Sequence, residues 1–249
     1  MTNSRTRTIS DVKNPFACRA ASRDAAQADV ESLFRLEGED AGELLLVRHA
    51  EPARGANSDP LLSCAGLAQA ERLAERLLSV WIEAVYVAPE RRAVQTANVL
   101  SAALDRPQYV VEGLAEIEFD ATEVDETAEM APTFGERFLT EPRWDSLPGF
   151  SSGRAFRRRA IQAVEGAIAC NPARRVVVVT HSSVINAYLS MILAIPRDEF
   201  FAPEHTSISV VRWSQDRYGL RSLNDVAHLS YAGPLPGSSG ELLPAVDCR

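Results

Sequence analysis

The stretch Leu44-Leu45-Leu46-Val47-Arg48-His49-Ala50-Glu51 decides the fold. Its unbroken apolar run suits a strand buried on both faces of a parallel sheet, and it delivers an Arg-His pair to the point where that strand ends. A second run, Val176 to Val179, delivers Thr180-His181-Ser182-Ser183 in the same way. In open α/β sheets the ligand site lies beyond the carboxyl ends of the strands, so both histidines are expected there. Two such histidines, one with an arginine beside it, make a cradle for a phosphoryl group with imidazole as the nucleophile.

Strand-like and helix-like periods alternate on either side of these runs. Gly66 to Leu78 carries a helical stripe of Leu67, Ala70, Leu73, Ala74, Leu77 and Leu78. Ala84–Val87 reads as a short strand. Pro89 suits the first turn of a helix whose inner face is Ala93, Ala97 and Leu100. A strand is expected at 108–111, a helix over 154–169, and another traced by Val184, Ile185, Tyr188, Leu189 and Ile192. Residues 207–213 and 218–223 read as a hairpin with its turn near Gly219. The acidic, proline-bearing segment 122–148 predicts loops and short helices. Strand and helix taking turns implies an α/β sandwich with a mostly parallel sheet. The domain is expected over residues 42–230. An N-terminal extension (1–41, with a helix over 25–36) precedes it, and a Gly/Pro/Ser-rich flexible tail (231–249) follows.

Composition bounds the partners. The chain has 249 residues and a net charge of −8, which argues against general nucleic-acid binding and leaves room for a small anion held by a few arginines. No apolar run approaches the roughly 20 residues of a membrane span. Cys18, Cys64, Cys170 and Cys248 are scattered without C-x-x-C spacing, which predicts reduced thiols in a cytoplasmic protein. The basic stretch 1–23 reads as a solvated tail.

A phosphate dianion needs cations with forked donors. Arg48 adjoins His49, and Arg91 and Arg92 open a helix whose free N–H groups also favour an anion. A departing alkoxide needs a proton, for which Glu116 and Glu118 are the candidates. Each residue alone has a structural reading as well: Arg91 and Arg92 as a solvated helix start, Glu116 and Glu118 as water-facing acids, Thr180, Ser182 and Ser183 as helix caps. Their joint placement favours chemistry.

The pattern also resembles the histidine phosphatase (phosphoglycerate mutase-like) superfamily. Val47-Arg48-His49-Ala50-Glu51 is similar to its R-H-G signature. Asp59-Pro60-Leu61-Leu62-Ser63 through Gly66, Gln69 and Ala70, Tyr86 through Ala97, Leu114-x-Glu116, Val178 through Ser182, and Asn224-Asp225 with His228-Leu229 follow in the family's order. The resemblance implies a three-layer α/β/α sandwich and assigns roles position by position. His49 would be the phosphorylated nucleophile, Glu116 the proton donor and His181 a phosphate-binding, transition-state-stabilising group. Arg48 and Arg92 would clamp the phosphate, with help from the Ser182 backbone N–H. It implies no metal and no cofactor, a small phosphorylated substrate, and a homodimer, since members often form one. Ser182 and Asp120 stand where glycine is usual, and Ser151 where many members have glutamate. The long helical insertion and Glu-Arg-His-Tyr stretch associated with true mutases are missing, which favours a metal-independent phosphomonoesterase. A mutase-type phosphotransferase and a non-catalytic phospho-ligand-binding module are the alternatives.

Overall fold

The computed structural model describes residues 36, 40–55, 58–120, 134–150, 152–215 and 217–230. The helix expected over 25–36 (but for Leu36), residues 122–133 of the acidic segment, Ser151 and the tail lie outside the described residues. Six strands form one sheet in the order β3-β2-β4-β1-β5-β6. They are β1 (Gly42–Arg48), β2 (Ala84–Val87), β3 (Gln108–Val110), β4 (Arg175–Thr180), β5 (Ile208–Ser214) and β6 (Arg217–Asp225). The first four run parallel, and β5 pairs antiparallel with both β1 and β6.

The helices follow from this order. They are α1 (Cys64–Leu77), α2 (Arg91–Leu104), α3 (Phe134–Thr140), α4 (Gly153–Ala169) and α5 (Ser182–Ile192). The crossovers β1–β2 and β2–β3 step one way along the sheet, and β3–β4 steps back. Right-handed connections therefore put α1 and α2 on one face and α4 on the other; α1 packs on α2, and α4 on α5. Covered on both sides, β1 and β4 need apolar residues at their central positions, so Leu44, Leu46, Val47 and Val176–Val179 are fully buried. That is why these two runs do not alternate.

Two local expectations are corrected. Gly219 sits inside β6 opposite Arg212; the chain turns earlier, where Gln215 takes a left-handed conformation (φ 55°). Pro89 precedes the N-cap residue Glu90 instead of entering α2. The expectation of reduced thiols holds for the free Cys170 and not for Cys64, which is disulfide-bonded. Scattered spacing carries no information on which thiols the fold brings together.

Candidate active site

The site is a product of strand register. β1 and β4 are parallel neighbours with Arg48 opposite Thr180, so the next residue of each strand, His49 and His181, emerges side by side. Their ring centroids lie 5.0 Å apart, close to the spacing of adjacent strands. β2, on the other side of β4, pairs Val87 with Val179 and leads through Pro89 to Glu90 and Arg92 at the start of α2. β3 leads through a 3₁₀ turn (Glu112–Leu114) to Glu116. The backbone of this last segment is pinned. Arg159 donates to the carbonyls of Glu112, Gly113 and Glu116, and Thr180 Oγ1 donates to that of Leu114 at 2.9 Å.

The loop after His49 is held by the polar residues of the Asp59–Ala70 stretch. Ser63 caps α1 by accepting from Gly66 N and donates to Glu51 Oε1, both at 2.9 Å. Gln69 accepts from Glu51 N. A Cβ on Gly66 would stand 2.1 Å from the Glu51 carbonyl oxygen, so only glycine lets the helix come this close. Asp59 accepts from Arg91 N at 3.0 Å and lies 3.6 Å from Arg92 Nη1. Thr96, one turn into α2, accepts from Ala50 N at 3.0 Å.

His49 is buried, and its Nδ1 lies 2.8 Å from the Ala50 carbonyl oxygen. A carbonyl only accepts, so Nδ1 carries the proton and Nε2 keeps its lone pair. Arg92 Nε donates to that Nε2 at 3.3 Å. Burial and the nearby charges of His181, Arg92 and Arg48 pull the His49 pKa down from 6.5 to about 3, leaving a neutral imidazole with an unprotonated Nε2.

His181 is in the opposite state. Nε2 lies 2.7 Å from Glu90 Oε2 and Nδ1 lies 3.1 Å from Glu116 Oε2. Burial opposes its charge, but hydrogen bonds to Glu116 and Glu90 outweigh that and raise its pKa. Arg92 Nη2 comes within 3.3 Å of Nδ1 and 3.5 Å of Glu116 Oε2, so guanidinium and imidazolium are fellow donors converging on one carboxylate oxygen. The other oxygen accepts from Ser183 Oγ. Burial acts to raise the Glu116 pKa, yet the hydrogen bond and charge of His181, with Ser183, bring it down to about 2. The expected proton donor is therefore an ionised carboxylate occupying a nest of donors.

The other expected residues divide. Arg48 donates through Nη1 to the Pro203 carbonyl at 2.6 Å, while its buried Nε has no partner among the described residues, a donor that an anion would satisfy. Ser182 begins α5, where the first N–H groups have no acceptor within the helix, and its hydroxyl faces Asn186. The side chains of Arg91 and Glu118 are exposed, and among the described residues neither joins the cluster around His49. Asp120 is exposed and donates its N–H to the Gly149 carbonyl. Sequence reading missed three contributors. Glu90 and Ser183 contact His181 and Glu116, and His205 donates from Nδ1 to the His49 carbonyl at 3.0 Å with its ring 5.4 Å away. A carboxylate directly before the Arg91-Arg92 pair was the available signal for the first.

His49, Glu116 and His181 bring ligand-type atoms within 4.8 Å of one another. The guanidinium donors beside the same ring nitrogens make the pocket suited to an anion, since a cation would face like charge.

The pKa values set a stability window. Between pH 6.5 and about 3 the unfolded chain protonates His49 and the folded chain does not, so this contribution is complete above pH 6.5 and is lost as pH falls through 3. Glu116 acts in the same direction, complete above 4.5 and lost as pH falls through about 2. The fall in melting temperature from pH 7 to pH 4.5 should be smaller in His49→Gln than in the wild type. Equal falls would show that the ring is not held neutral.

Comparison with known proteins bears on the chain's family and fold. Residues 44–226 match the family model described as the histidine phosphatase superfamily (branch 1). A metal-independent phosphoserine phosphatase of Arabidopsis thaliana is 30% identical over 220 residues, covering 81% of this chain and 90% of the relative. Phosphoserine phosphatase 1 of Hydrogenobacter thermophilus is 27% identical over 197 residues, covering 75% and 93%. Among solved structures, a phosphoglycerate mutase from Bacillus anthracis superposes with a TM-score of 0.63 at 18% identity, covering 77% of this chain and 97% of that one, and shares the fold. With the signature histidines, the arginine and the acid gathered at one end of such a sheet, the chain belongs to the histidine phosphatase superfamily, branch 1.

Proposed function

We propose that the protein is a metal-independent phosphomonoesterase of small phosphorylated metabolites, working through a phosphohistidine at His49. The observation that carries this is the tautomer: a backbone carbonyl holds Nδ1–H, so Nε2 is unprotonated and presents a lone pair, which accepts from Arg92, beside His181 and Arg48. A phosphate entering this nest takes over donors that Glu116 now holds. His49 Nε2 attacks phosphorus in line, forming the N–P bond as the ester P–O bond breaks, and Glu116 protonates the departing oxygen. Water then attacks the phosphohistidine while Glu116 accepts its proton, which is covalent catalysis in two steps. Arg48, Arg92 and the His181 imidazolium offset the charge on the transferring group.

Glu116 is ionised before substrate arrives, so the substrate itself is a fitting source of the proton. A phosphomonoester has a second pKa near ~6, so its monoanion carries a proton into the site. The arriving negative charge and the loss of the His181 and Ser183 bonds then raise the carboxyl's affinity for that proton.

Two relatives named as phosphoserine phosphatases make phosphoserine the first substrate to assay. Activity in a panel of phosphomonoesters should survive EDTA. Strict dependence on Mg²⁺ would overturn the reading, and an isomerised product that needs a bisphosphorylated primer would move it to a mutase.

A further inference from the structure

Glu90 is the N-cap residue of α2, a position whose side chain usually accepts from the second or third amide of its own helix. It makes no such bond. Its carboxylate turns to the site instead, with Oε2 2.7 Å from His181 Nε2 and Oε1 accepting from Glu116 N at 2.8 Å. One side chain thereby joins three separately placed pieces: the end of β4, the acid-bearing segment after β3, and the helix start that presents Arg92 two residues later.

Building on the phosphatase reading above, we propose that Glu90 is a positioning residue that holds His181 as a doubly donating imidazolium and anchors the Glu116 backbone within reach of the leaving group. The groups facing the His181 ring are Glu90, Glu116, Arg92 and His49. Of these only the two acids favour its charge, and hydrogen bonding to both raises its pKa. Glu116 cannot serve throughout, because it becomes neutral whenever it carries the proton for the leaving oxygen. At that moment Glu90 is the remaining anion on the ring among the described residues, and the imidazolium is then most needed by the phosphoryl group. The forfeited helix cap fits this role, since a side chain serving the helix alone would stay with it.

Glu90→Gln tests the assignment. Both partners of Glu90 are donors, and glutamine offers one acceptor oxygen and no charge. The variant should lose about tenfold to a hundredfold in kcat/KM, with its alkaline limb displaced to lower pH. Ring ¹⁵N NMR should show the His181 ring losing its second proton at lower pH than in the wild type. A purely structural Glu90 would lower the melting temperature and leave both the limb and the ring titration where they were, and that result would overturn the inference. Ring titration needs no turnover, so the two readings separate. An inactive wild type whose His181 still responds to Glu90→Gln refutes the phosphatase reading alone. An active wild type with an unmoved limb in the variant refutes only the role of Glu90.

Discussion

His49→Ala should abolish turnover, with kcat lower by at least about 10⁴-fold. Among the described residues no neighbour can replace the missing nucleophile. The His181 ring is tied at both nitrogens to carboxylates. The His205 ring is held by its Nδ1 bond to the His49 carbonyl, which persists in the alanine variant, so it stays 5.4 Å from where the missing ring lay. The fold should survive, because the lost ring makes one hydrogen bond to backbone and one to Arg92, and circular dichroism verifies this. Labelling the wild type with a ³²P-monoester, followed by rapid quench, should trap phosphate that is stable in base and labile in acid. The variant should trap none. Label on a serine or an aspartate, or turnover within tenfold of the wild type, would refute the nucleophile.

Glu116→Gln should separate substrates by leaving group. General acid catalysis contributes about 10²–10⁴-fold when an alkoxide departs, so an alkyl phosphate such as phosphoserine should lose activity in that range. p-Nitrophenyl phosphate releases a phenolate that leaves without a proton, and it should lose less than about tenfold. KM should not rise, because a neutral amide no longer competes as an anion for His181 and Arg92. Equal losses on both substrates would mean that Glu116 acts on binding or architecture and not on the leaving oxygen.

How much of this was legible in the sequence depends on where each residue's partners come from. β1 and β4 were readable because a strand covered on both faces admits only apolar residues, and because each run stops on a polar pair. His49, Arg92, Glu116 and His181 fell into place since strand ends in a parallel sheet open on one rim. Glu90, Ser183 and His205 were not legible. Their partners lie 91, 67 and 156 positions away along the chain, and nothing local distinguishes a carboxylate at a helix start that caps from one that reaches across. The hairpin turn was misplaced for a related reason. Gly219 is the usual turn residue, yet Gln215 takes the left-handed conformation, and the glycine lies within the paired strand. The ionised state of Glu116 was equally hidden, because it depends on three donors assembled from β4, α2 and α5.

The two histidines differ in what holds them, and that difference bears on inheritance. His49 takes its tautomer from a peptide carbonyl, an atom that no codon change can delete. His181 depends on two glutamates, each one missense change from loss. On the proposed mechanism, loss of either glutamate would weaken the assisting ring while leaving the proton on the attacking ring where it is.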